Sequence, residues 1–314
     1  MDCARRLPLL IVGLIFSVIS PIIVDTRAVE AFIPSQTTLM ATRKRKNLTV
    51  NFETKDEDSN DNSIGNTSVL SHVMLKVPSA DKTVEYWMEK GGTIRTSKGK
   101  VGSTELQSAF VELGRTQRKD DDDTKGAKCF ALELIATDKK NYSVGNVISY
   151  IGVSMLLRFQ NDLVGLILGN DKPEFQGEEP NNISIQTAAS APGDFLSRFS
   201  LKSKDLESTS TFYTSVLGMV AKAQDDEAVC LRYDNDCFPW GIPTTLIFEV
   251  TTDDLDMGDC FDHLVISTET SINEINELVQ KSGHDIYMEP TDMFGKRVMG
   301  VIDPNGYKVV ICSN

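Results

Sequence analysis

Histidine is scarce in this chain: only His72, His263 and His284 occur in 314 residues. With so few imidazoles, a metal site in this chain is expected to draw on carboxylates as well. Cysteine offers no substitute. Cys3 lies in the N-terminal leader, and Cys129, Cys230, Cys237, Cys260 and Cys312 are odd in number and show no Cys-x-x-Cys spacing. Mostly flanked by apolar residues, they read as buried free thiols, which suits a reducing compartment. A basic excess is missing too. The formal net charge of −13 argues against nucleic acid or anionic membrane surfaces as partners.

What is present suits a globular body of one or two domains, with 40% hydrophobic and 25% charged residues. The N-terminus is a targeting segment. Arg5 and Arg6 precede an apolar run over residues 7–24, broken by Pro21, and Val29 and Ala31 place small residues before a cut at residue 31. A membrane anchor is the competing reading, but the run is short and carries a proline, so no membrane partner is expected for the mature form. Residues 32–46 are rich in Ser, Thr and basic residues and free of acids, as in a transit peptide. The two segments together resemble the bipartite presequence of algae with secondary plastids, which implies the plastid; secretion is the alternative. Residues 47–68 are polar and rich in Asn, Asp and Ser, so residues 32–68 read as transit-like segment and disordered linker.

The body is internally duplicated. Residues 70–87 (LSHVMLKVPSADKTVEYW) align with residues 196–213 (LSRFSLKSKDLESTSTFY), each reading as strand, turn and helix. Residues 130–138 (FALELIATD) align with 246–254 (LIFEVTTDD), placing Glu133 over Glu249, and residues 145–154 (GNVISYIGVS) align with 258–267 (GDCFDHLVIS). The expected fold is α+β: four β-α-β-β-β-type units in two tandem modules, 69–189 and 195–314, whose curved mixed sheets surround a cleft. The second half of the first module is degenerate after Ser154.

The last unit is the clearest. A strand carrying His263 leads into an amphipathic helix over residues 271–282, with Ile272, Ile275, Leu278 and Val279 on one face and Gly283 as the stop. Asp303-Pro304-Asn305-Gly306 then predicts a tight turn between two strands. This stretch, FDHLVIST through VIDPNGYKVVI, together with FYTSVLGM at residues 212–219, resembles glyoxalase I (lactoylglutathione lyase) of the vicinal-oxygen-chelate superfamily. The resemblance implies one divalent metal ion, zinc or nickel, in a cleft between modules. It places the metal ligands on His72 and Glu133 of the first module and His263 of the second. It further implies a small-molecule substrate, the glutathione hemithioacetal of methylglyoxal, and a monomer.

An acid inside an apolar strand, as Glu133 is between Leu132 and Leu134, needs a partner or a metal. Two imidazoles and one carboxylate leave an open position for water or substrate. One departure matters: the family's last-strand Glu, both ligand and general base, falls on Val310, with no acid adjacent. Arg95, Lys296 and Arg297 are the expected substrate-binding cations. The matching positions of the duplicate, Arg198, Glu249, Tyr150 and Ser184, predict a site unable to hold a cation. His284 is expected to be an exposed loop residue, Asp120–Asp123 a solvated loop tip, and Phe238-Pro239-Trp240-Gly241 a packed loop. Two alternatives stay open: a catalytically inactive binding module of the same fold, and another metal-dependent chemistry of the superfamily, such as a dioxygenase.

Overall fold

The computed structural model describes residues 63–90, 92–113, 130–154, 179–188, 196–233, 244–293 and 295–313. The signal and transit segments, Cys129, Cys237, Asp120–Asp123, residues 238–241 and most of the degenerate stretch after Ser154 lie outside them.

Three units are complete. The first has β1 (Ser68–Val77), α2 (Ala80–Glu89), β2 (Gly92–Lys98), β3 (Ser108–Leu113) and β4 (Ala131–Ala136), and is preceded by a short helix α1 (Ser63–Thr67). Residues 63–68, which the polar composition assigns to the linker, form α1 and the start of β1, and Ser68 is buried, with its hydroxyl on Ile64 O (2.6 Å) and Thr268 Oγ1 (2.9 Å). Of the second unit, β5 (Ile148–Ser154) and β6 (Ile185–Ala188) are described. The third has β7 (Leu196–Ser203), α3 (Leu206–Thr211) running into a π turn at Phe212–Val216, β8 (Val220–Gln224), β9 (Ala228–Arg232) and β10 (Thr245–Val250). The fourth has β11 (Phe261–Thr268), α4 (Ile272–Lys281), β12 (Ile286–Met293), β13 (Lys296–Ile302) and β14 (Lys308–Ser313). Ser79 and Asp205 accept from the backbone of the first turns of α2 and α3, as capping residues should. Among the described residues, no helix is long and apolar enough to cross a membrane.

The units pair crosswise. The first and fourth build a sheet of eight strands, in the order β12-β13-β14-β11-β1-β4-β3-β2, and the second and third build one of six, β6-β5-β7-β10-β9-β8. The central pairings repeat: β1 runs antiparallel to β11 and parallel to β4, and β7 runs antiparallel to β5 and parallel to β10. The segments entering β5 and β11 also meet. Gly145 and Gly258 have φ of 74° and 55°, and a Cβ on Gly258 would lie 2.3 Å from Gly145 N. Only glycine combines that conformation with that approach. Asp256 N and Asn146 N reach across to Asn146 Oδ1 and Asp256 O, each at 2.9 Å.

The core is an aromatic chain linking the sheets: Phe130, Phe199, Phe261, Tyr307, Phe248 and Tyr213 follow one another at centroid distances of 4.9–6.4 Å. Tyr307 Oη donates to Lys202 O of the other sheet at 2.7 Å. Asp303, almost fully buried, organises the β13–β14 turn. Its Oδ1 accepts from Asn305 N and Tyr307 N, both at 2.8 Å, and its Oδ2 from Tyr213 Oη at 3.2 Å. Burial nevertheless pushes its carboxyl up to about 6, the hydrogen bonds pulling the other way.

Candidate functional site

Alternation along β1 sets the first sheet's two faces. Val73, Leu75 and Val77 are fully buried on one side, while His72, Met74 and Lys76 stand half-buried on the other, the open face. Met74 pairs with Glu133 on one flank and with His263 on the other. One step along, His72 pairs with Val265, and Val265 with Val310. Paired residues project to the same side, so His72, Glu133, His263 and Val310 share the open face. Glu133 and His263 flank Met74 two strands apart, a Cα separation of about 10 Å at ordinary strand spacing.

Local irregularities aim the groups. His72 Nε2 lies 3.3 Å from Glu133 Oε2, which gives the strand-borne acid its partner. His72 Nδ1 is 3.1 Å from Ser71 Oγ, and its ring stands edge-on to Phe110 at 5.0 Å. A bulge between Met74 and Leu75 leaves Asp262 as the extra residue of β11. Asp262 accepts from His263 Nδ1 at 2.7 Å and from Lys76 Nζ. The His263 hydrogen bond first, and then Lys76, hold its carboxyl well below the usual carboxylate range. Asp262 was not singled out from the sequence, although its place immediately before His263 was the available signal. Tyr287 also went unrecognised. Its ring lies over Gly300, where a Cβ would come within 2.4 Å of it, and Lys308 Nζ sits 5.6 Å from its centroid. Burial and then the Asp262 charge push its phenol up to about 12, so it remains a hydrogen-bond donor.

The three expected cations are placed differently. Arg95 sits at a β2–β3 bulge with Nη1 3.3 Å from Glu112 Oε1, and Glu112 pairs with Ala131 in the row of His72, so this ion pair edges the open face. Lys296 is on the same side of β13 as Gly300 but four residues away, about 13 Å along the strand. Arg297 faces the other way by alternation, with Nη1 3.2 Å from Asp292 Oδ2 on the β12–β13 hairpin. His284 is not simply exposed: half-buried, it packs edge-on against Phe212 at 4.7 Å. Cys230, Cys260 and Cys312 are free thiols, but only Cys260 is fully buried; the other two are half-buried.

Among the described residues, no three His, Cys, Asp or Glu side chains converge as a ready metal centre. The donor types nevertheless fit a divalent cation. Each imidazole has Nδ1 engaged by an immediate neighbour, Ser71 or Asp262, which leaves Nε2 for a cation; His72 Nε2 is the one beside the Glu133 carboxylate. A carboxylate on the far nitrogen of a ligating histidine fixes its tautomer and raises its basicity.

The second sheet corrects the repeat alignment. In the first sheet the residue paired with Met74 is Glu133; in the second, the equivalent Ser200 pairs with Ile247, while Glu249 pairs with Lys202 one step on. Gly152, equivalent to Val265, pairs with Gln186 rather than Ser184. The residues equivalent to His72, Glu133, His263 and Val310 are thus Arg198, Ile247, Tyr150 and Gln186. The sequence alignment slipped by two residues at both strands, a shift that preserves the alternation and so leaves no trace in the pattern.

No protein-family model matches this chain, and no curated protein matches it. Solved structures do. Glyoxalase I from Zea mays superposes with a TM-score of 0.58 at 18% identity, over 79% of this chain and 92% of that one. A mutant of the same enzyme gives 0.59 at 19%, over 79% and 94%. A candidate dioxygenase from Bacillus subtilis gives 0.54 at 10%, over 79% and 85%. These likenesses establish the fold as the two-sheet, tandem-module architecture of the glyoxalase I kind.

Proposed function

We propose that the chain is a metal-dependent enzyme of the glyoxalase I type, acting as a monomer on a glutathione hemithioacetal of methylglyoxal. The observation that carries this reading is the contact of His72 Nε2 with Glu133 Oε2, on the same face as an Asp262-oriented His263. His72, Glu133 and His263 would hold one zinc or nickel ion. When bound, such an ion supplies Lewis-acid polarisation of substrate oxygens. Val310 provides no base, so Glu133 is the group on this face that takes up a proton from substrate carbon. Asp262 stays ionised between Lys76 and His263 and orients the imidazole. Tyr287 and Lys308 supply a hydroxyl and a positive charge toward an anionic substrate, and Arg95 lies at the edge of the same face. The leader composition supports a plastid location.

The absence of an acid at Val310 favours a second reading, in which the same two-His, one-carboxylate donor set serves iron and dioxygen chemistry instead. The test is an assay of the full chain, loaded in turn with nickel, zinc and ferrous iron, for thioester formation from methylglyoxal and glutathione. Turnover with nickel or zinc, lost in His263→Ala, supports the first reading. No turnover with any metal, although metal is bound, removes it.

A further inference from the structure

The open face of the second sheet is not merely a lost metal site; it has a chemistry of its own. Arg198 projects from the centre of β7 on this face. Its neighbours in the same row are Gly152 on β5 and Thr245 on β10. Arg232, one residue beyond Leu231, which pairs with Leu246, comes up beside Thr245 on β9. Two guanidinium-bearing residues therefore flank a threonine on one row, with Gln186 beyond Gly152. The next row carries Tyr150, Ser200, Ile247 and Cys230.

Three observations say what this face would hold. First, Ser200 is fully buried and its Oγ has no hydrogen-bond partner, an unusual state for a hydroxyl inside a protein. Second, a Cβ on Gly152 would lie 2.7 Å from Arg198 Cβ, so the missing side chain lets Arg198 lie close against β5. Tyr150, in the next row of β5, is buried, and burial pushes its phenol up. Third, the position of the acid that faces His72 in the first sheet is held by Ile247, so no carboxylate stands in the row of Ser200 on β10. Glu249 is the nearest acid on the strand, one step away and paired in register with Lys202. Cys230, raised by burial, stays a neutral thiol.

We propose that the open face of the second sheet binds a small oxyanion, the carboxylate or phosphate group of a small molecule, read by Arg198 with the hydroxyls of Ser200, Thr245 and Tyr150. Arginine's planar fork matches two oxygens of either group. The proposal involves a different sheet from the metal site and does not depend on it.

Calorimetric titration of the full chain with sodium phosphate, and separately with succinate, both in chloride buffer, tests it. Saturable binding of about one equivalent of at least one anion is expected, and which one binds identifies the ligand group. Arg198→Met should weaken that binding about 10- to 100-fold, the range for loss of a charge-assisted hydrogen bond. Ser200→Ala should weaken it by a smaller factor, and His263→Ala should leave it unchanged. Thermal melting shows whether Arg198→Met is folded; if it is not, Arg198→Lys, which keeps the charge but loses the fork, takes its place and should bind more weakly than the wild type. Absence of saturable binding of either anion would overturn the proposal, as would folded Arg198 variants that bind like the wild type.

Discussion

The two sheets share a framework and differ in one row of side chains. In the first, His72, Glu133 and His263 share the open face, with His72 in contact with Glu133; in the second, the equivalent positions hold Arg198, Ile247 and Tyr150. Strand order around β1 and β7, the crossing glycines and the capped helices are common to both. The comparison teaches that duplication here constrains the buried faces, where every side chain has packing partners, and leaves the open faces free to change charge. On the two proposals made above, one face carries a donor set for a cation and the other a set of donors for an anion.

Glu133→Gln should break the comparison most sharply. It keeps the shape but removes the proton acceptor, and turnover should fall about 10²–10⁴-fold at unchanged melting temperature. Steady-state kinetics beside a melt would show it; a drop in stability without loss of turnover would mean that Glu133 is only a structural partner of His72.

Phe248→Ala should damage both faces at once. Phe248 touches Tyr213 and Tyr307 in the aromatic chain between the sheets and is fully buried. The loss should be about 3–5 kcal/mol by denaturant titration. A cost under about 1 kcal/mol would mean that the sheets are held together elsewhere.

Asp303 sharpens the comparison at the junction. Its carboxyl is raised to about 6 in the folded chain, against about 4 unfolded. The folded state therefore keeps a proton that the unfolded state releases between pH 4 and 6. Stability from this group is complete below pH 4 and is lost as pH rises through 6, by about 2–3 kcal/mol. Unfolding of Asp303→Asn measured across that range should lack this fall relative to wild type. Parallel pH profiles for the two proteins would refute the assignment.

Asp262→Ala should be milder. Removing the carboxylate that orients His263 should weaken metal affinity about 10–100-fold, read by competition with a chelator, without abolishing it.

Most of the framework was legible in the sequence because it is written in short-range patterns: the 3–4 spacing and Gly283 stop of α4, the Asp303–Gly306 turn, the alternating strands and the repeat of the glycine entries. The grouping of His72, Glu133 and His263 as one ligand set was an expectation of the family resemblance rather than of periodicity. What escaped notice came from register. Glu249 looked like the counterpart of Glu133 because a two-residue slip keeps alternation intact, and only strand pairing places Ile247 there. Asp262 reaches the open face through a bulge, and Tyr287 through another in β12, and neither bulge leaves a mark in hydrophobic pattern. His284 looked like a loop residue because its contact, Phe212, is remote in sequence.

The most direct measurement of the central contrast is the metal content of three proteins by elemental analysis: the full chain, His263→Ala and Arg198→Met. About one equivalent of divalent metal in the full chain and in Arg198→Met, with none in His263→Ala, is the predicted result. Metal retained by His263→Ala, or lost from Arg198→Met, would contradict the division of chemistry between the two sheets.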